Sequence, residues 1–197
     1  MKIKFKFLNF LMFSVVALCI SACGNDESKN SQDQVNKTTL ATGKERYQHM
    51  IDSIEAKMQA TRNMALDHGT AMFAMRAYDE YASYFPDEQK SPEYLFKAGE
   101  LANSMQLSQP ALSYLNRVMN KYPNYKNAPY ALFMQGMIYD DQLKDTANAR
   151  KIYKQVIEKY PESQLAKDAE ASINNLGKSV EDLVREFEKK QAASAQK

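Results

Sequence analysis

Residues 91–161 read SPEYLFKAGELANSMQLSQPALSYLNRVMNKYPNYKNAPYALFMQGMIYDDQLKDTANARKIYKQVIEKYP. One pattern is written twice in this stretch. The first copy runs Leu95, Gly99, Ala102, Ala111, Leu115, Val118 and Tyr122-Pro123. The second runs Leu132, Gly136, Tyr139, Ala149, Tyr153, Val156 and Tyr160-Pro161, with one extra residue in the turn between its halves. Each half carries apolar residues at helical spacing, so each copy is a pair of antiparallel helices. Gly99, Ala111, Gly136 and Ala149 are small where two helix backbones must approach closely, and the larger residues fill the space between.

The spacing resembles the tetratricopeptide repeat, W-x2-L-G-x2-Y…A-x3-F…P, at every step of the first copy. The resemblance implies an all-α helical solenoid. Such a solenoid is a binding surface with no built-in chemistry, so it fixes architecture better than function.

Outward from the repeats, further helices are legible. Ala74, Tyr78, Tyr81 and Phe85-Pro86 repeat the second half of the signature, after a turn at Asp67-His68-Gly69. In Lys44–Leu66, the residues Tyr47, Ile51, Ile54, Met58, Thr61 and Ala65 share one face. This segment reads either as the first solenoid helix or as a short coiled coil. A seam without a steady Leu or Ile series favours the solenoid helix. On the other side, Ser163–Leu176 presents Leu165, Ala166, Ala169, Ile173 and Leu176 on one face, and Gly177 stops it. Ser179 to Asp182 resembles a capping box before the stripe Val180, Leu183, Val184 and Phe187, read as a capping helix. Helix starts are expected at Ser91, Ser108, Asn127 and Ser163 beside prolines. The expectation is eight helices over residues 44–192, no strand, and a polar tail at 193–197.

Residues 1–22 have the parts of a secretory signal: Lys2, Lys4 and Lys6, then a nearly apolar run from Phe7 to Ile20. The run ends in Ile20-Ser21-Ala22-Cys23-Gly24, which resembles the lipobox of bacterial lipoproteins. That resemblance implies cleavage before Cys23 and lipidation of its thiol, with two or more acyl chains giving stable anchoring. Cys19 leaves with the signal, so no other thiol remains in the mature chain. Gly24, in place of an inner-membrane retention Asp, favours the outer membrane. Asn25-Asp26-Glu27 looks like the acidic tract that carries some lipoproteins to the cell surface. Residues 23–43 are polar and read as the lipidated Cys followed by a disordered tether of about 20 residues, roughly 25 Å on average.

Setting aside the three signal lysines, 23 basic residues face 24 acidic ones. No basic block survives, and nucleic acid is an unexpected partner. His49 and His68 stand on separate segments without neighbours at metal-ligand spacing. Asp140, Asp141 and Asp145 lack the central Gly and closing Glu of a calcium loop, with Lys151 where that Glu would fall, and read as turn and capping residues. No nucleophile elbow, P-loop or dinucleotide fingerprint occurs. The expectation is a non-enzyme without cofactor or metal.

Tyr160-Pro161-Glu162-Ser163, with Ala166 and Ala169, resembles the repeat junction of the lipoprotein subunit of the β-barrel assembly machinery (BamD-like). The same junction occurs in CpoB-like proteins that coordinate envelope and division. BamD-like proteins carry about five repeats against three here plus a terminal helix pair. CpoB-like proteins carry an N-terminal trimeric coiled coil and no lipobox. The resemblance implies a lipid-anchored envelope scaffold that binds protein or peptide partners, with a monomer expected unless residues 44–66 trimerise. In such repeats the first helix of each unit lines a groove. By register the groove residues are Glu93, Phe96, Glu100 and Asn103, then Tyr130, Phe133, Met137 and Asp140. This mixture of aromatic, Met and acidic groups suits an extended or helical peptide with apolar anchors and some positive charge. The competing reading places Phe96, Phe133 and Met137 in the core.

Overall fold

The computed structural model describes residues 27–61 and 67–194. The expected signal, Cys23, Ala65 and the last three residues lie outside the described residues. The chain divides into two units, Met1–Leu40 and Ala41–Lys197. Eight helices follow in order: α1 (Glu27–Ala60), α2 (His68–Tyr84), α3 (Ser91–Ser104), α4 (Ser108–Lys121), α5 (Ala128–Met137), α6 (Thr146–Lys159), α7 (Gln164–Asn175) and α8 (Val180–Ser194). Among the described residues there is no strand. From α2 to α7 each helix packs on the next one in sequence, which makes an all-α solenoid.

The repeat register holds. Leu95, Ala102, Ala111, Leu115 and Val118 are buried in one core cluster with Tyr81 and Ile138. Leu132, Ala149, Tyr153, Val156 and Ala169 form a second. The glycines mark the closest approaches. A Cβ on Gly99 would lie 2.8 Å from Leu115 Cδ2, and one on Gly136 would lie 2.5 Å from Tyr153 Cε1.

Helix α1 belongs to the solenoid from Ala41 onward. Ile51 is fully buried and Ile54 nearly so, packed with Tyr47, Met50 and Met58 against the first cluster. Polar ties reinforce the packing: Tyr78 donates to Glu55 at 2.8 Å, and Lys44 to Glu88 at 2.8 Å. The apolar seam that a coiled coil would need is therefore used inside the protein.

The tether expectation needs correction. Helix α1 begins at Glu27, within the stretch expected to be disordered. Between Glu27 and Thr42 the sequence has neither proline nor glycine. Extending an already nucleated helix fixes one residue for each hydrogen bond gained, so no buried face is required. The C-terminal helix likewise reaches Ser194, two residues into the expected tail.

The expected helix starts fall within a residue of place, but most of the side chains do other work. Ser91 is wholly buried and donates its hydroxyl to the Phe85 carbonyl. Ser163 donates to the Tyr160 carbonyl at 2.9 Å, and Asn127 makes no side-chain cap. Asp67 and Asp145 supply the side-chain caps of α2 and α6. At α8 the capping box forms as expected: Asp182 N donates to Ser179 Oγ at 3.1 Å, and Ser179 N donates to Asp182 Oδ2 at 3.2 Å.

The extra residue of the second repeat has a definite location. After α5 the chain makes a π-helical turn, Ile138–Gln142, closed by Leu143 N to Ile138 O at 3.1 Å. In the first repeat the same corner closes with Leu107 N to Ala102 O at 2.9 Å, one residue tighter than Asp145 N to Tyr139 O at 2.8 Å. The equivalent corner residues, Gln106 and Lys144, both take positive φ (60° and 54°). The wider turn lets Gln142 reach back one repeat. Its amide donates to Asn103 Oδ1 at 2.7 Å and accepts from Ser108 Oγ at 2.6 Å.

One packing expectation fails. The stripe of α8 was expected to cap the open end of the solenoid, yet Val184 and Phe187 are exposed at 50% and 61%.

Candidate binding face on α3 and α5

The first helices of the two repeats share one face. Glu93, Lys97 and Glu100 stand at successive turns of α3, a spacing that sets them in line. Lys97 Nζ lies 2.9 Å from Glu93 and 3.0 Å from Glu55 of α1, with its charge 5.7 Å above the Tyr94 ring. Burial pushes the Tyr94 phenol up to about 12, with the Glu55 charge adding to it. Lys97 is thus neutralised by two carboxylates, and Glu100 is left without an ion pair or hydrogen bond among the described residues. Glu100 borders a cavity of about 320 Å³ with Met58, Tyr78, Lys97, Leu101 and Ser104. Desolvation raises its carboxyl pKa, and Lys97 offsets this in part.

Aromatic groups join α3 to α5. Phe96 packs 6.0 Å from the Tyr130 ring and 6.1 Å from the Tyr125 ring, both tilted. Tyr130 is 40% exposed at the surface. Further along α5, Met137 is half-buried. Asp140, half-buried in the π-helical turn, has its carboxyl raised by desolvation first and by the Asp141 charge second. The face therefore presents an exposed ring, and on it the desolvation of Glu100 and Asp140 is offset only in part by Lys97 and Lys144.

The eight groove residues separate into three groups. Glu93, Glu100, Tyr130, Met137 and Asp140 are accessible. Phe96, only 5% exposed, is core: it anchors the α3–α5 contact and offers nothing to a partner. Phe133 is half-buried against Tyr153, 5.4 Å between ring centres, so most of it serves the fold. The side chain of Asn103 is engaged by Gln142. Sequence register missed Lys97 and Tyr125. The first was findable from its i,i+4 relation to Glu93. The second lies in an inter-repeat loop, where no periodicity speaks for it.

The remaining titratable residues have structural places. Asp145 accepts from Asn148 N at 3.0 Å, and its pKa is lowered by that bond, which is the capping role expected of it. His49 and His68 are exposed on α1 and α2. Among the described residues no cluster of three or more His, Cys, Asp or Glu is placed to hold a metal ion.

The tetratricopeptide-repeat family model matches residues 93–125 and 130–163. The chain carries tetratricopeptide repeats. The two matched repeats are α3–α4 and α5–α6, whose first helices form the face just described. Repeats of this kind are scaffolds for protein–protein interaction. No curated protein matches the chain.

Proposed function

We propose that the protein is a non-catalytic, lipid-anchored scaffold whose α3–α5 face holds a segment of a partner protein. The observation that carries this reading is the exposed Tyr130 on a face that by register also bears Glu100 and Asp140, two carboxylates whose desolvation Lys97 and Lys144 offset only in part. Holding such groups out of water costs stability, and a bound cation would recover it. The partner segment that fits is extended or helical, with an apolar anchor for the ring and Lys or Arg on either side.

The lipobox-like ending at Cys23 supports anchoring in the outer membrane. The Tyr-Pro-x-Ser junction supports a role like that of the BamD-like subunit, holding envelope proteins during their assembly. Such a scaffold needs no active site. Depletion then lowers the amount of folded β-barrels in the outer membrane, and normal barrel levels after full depletion would contradict the assembly role. Crosslinked co-purification identifies the partner. A photoreactive group at Tyr130 captures it, while one at Tyr84, a more exposed ring on α2, does not.

A further inference from the structure

Where α1, α2 and α3 meet, a cavity of about 320 Å³ is lined by Met58, Tyr78, Lys97, Glu100, Leu101 and Ser104. It stands at the small end of the roughly 300–1,000 Å³ range of ligand cavities, a size for one side chain and not for a whole segment. Met58 and Leu101 give it apolar walls. Its polar groups are acceptors. Tyr78 donates its hydroxyl proton to Glu55 at 2.8 Å, and Ser104 donates its own to the Leu101 carbonyl at 2.8 Å. Each oxygen keeps lone pairs and has no proton left to give. The Glu100 carboxylate also accepts only, and only Lys97 offsets its desolvation. Lys97 itself, the one cation in the lining, turns its ammonium to Glu93 at 2.9 Å and to Glu55 at 3.0 Å. Glu55, Glu93 and Glu100 thus stand about a single ammonium, a local excess of negative charge.

The occupant that matches is cationic, rich in N–H donors, free of acceptors, and slender enough to lay methylenes along Met58 and Leu101. A guanidinium on its methylene stem has all four properties, with five donors in a planar fork. An anion is repelled here, and a neutral amide brings an acceptor that meets other acceptors. We infer, building on the α3–α5 face as the binding surface, that this cavity receives one arginine side chain of the partner segment. The guanidinium pairs with Glu100 and donates to Tyr78 Oη and Ser104 Oγ, and the stem lies against Met58 and Leu101. The binding surface thereby extends onto α1.

Methyl NMR of the full chain in mild detergent, labelled at its methionine methyls, reads the cavity through Met58, whose signal is assigned by its loss in Met58→Leu. The probes are N-acetyl-arginine amide and the uncharged, near-isosteric N-acetyl-citrulline amide. The expected result is a saturable shift of the Met58 methyl with the arginine compound and several-fold weaker binding of the citrulline compound. Glu100→Gln removes that preference, whereas Glu158→Gln, at an exposed position on α6, leaves it as in wild type. No saturable shift at Met58, equal binding of the two compounds, an undiminished preference in Glu100→Gln, or the same loss in Glu158→Gln overturns the proposal, whether or not Tyr130 captures a partner. A Met58 shift that depends on Glu100 supports the cavity even where Tyr130 captures nothing, so the cavity and the α3–α5 face fail separately.

Discussion

Gly136 and Tyr153 show how a single missing methyl sets the distance between two helices. The methyl of an alanine at 136 would meet the ring edge of a tyrosine that is itself buried and held by Phe133. At Gly99 the obstacle is the flexible end of Leu115. Overpacking of this kind costs about 1–3 kcal/mol, against a helix-propensity gain of roughly 1 kcal/mol. Gly136→Ala is therefore expected to lower the melting temperature and Gly99→Ala to lower it less, as thermal denaturation followed by circular dichroism will show. The carboxylates of the binding face behave in the opposite sense. The folded pKa values of Glu100 and Asp140 are raised, so their ionised forms cost stability at neutral pH, and that cost fades as pH falls through those values. Asp67 and Asp145 are lowered by their capping bonds. Their contribution is present above the ordinary carboxylate range and is lost as pH falls through their folded values. Glu100→Gln with Asp140→Asn is thus expected to melt no lower than wild type at neutral pH. The difference between the two proteins should close on acidification; a variant that melts well below wild type would show that these carboxylates hold the fold together.

Helix α1 carries the choice between a solenoid and a coiled coil. With Ile51 fully buried against the solenoid core, Ile51→Lys forces a charge into an apolar site, a cost of several kcal/mol. We expect a large loss of thermal stability in the whole helical domain. A coiled-coil role would instead leave the melting of the monomer intact and abolish only a trimer. Most elements were legible in the sequence, because Leu95, Ala111, Leu132 and Ala149 obey a period that only stacked helix pairs satisfy. What escaped had no period to betray it. The polar start of α1 is helical by propagation, the extra residue of the second repeat is absorbed by a π-helical turn, and the stripe of α8 looks the same in sequence whether it is covered or exposed. At the face, register named Tyr130, Met137, Glu100 and Asp140, and the structure leaves Tyr130 and Glu100 exposed and Met137 and Asp140 half-buried. Register could not tell that Phe96, on the same stripe, turns inward to meet Tyr125 and Tyr130.

For the whole molecule the proposed function joins a membrane anchor, expected at Cys23, to a helical binding surface. Cys23→Ser is expected to abolish palmitate labelling and release the protein from membranes in a fractionation assay; unchanged labelling would remove the anchor from the account. The central claim is that the α3–α5 face, and not a catalytic centre, is what the solenoid is for. Its most direct test is partner capture by the variant Tyr130→Ser, Met137→Ser after crosslinking in intact cells. Both residues are accessible, so the account predicts that co-purified partner is lost while helical circular dichroism and melting stay near those of wild type. Undiminished capture by a folded variant would contradict it.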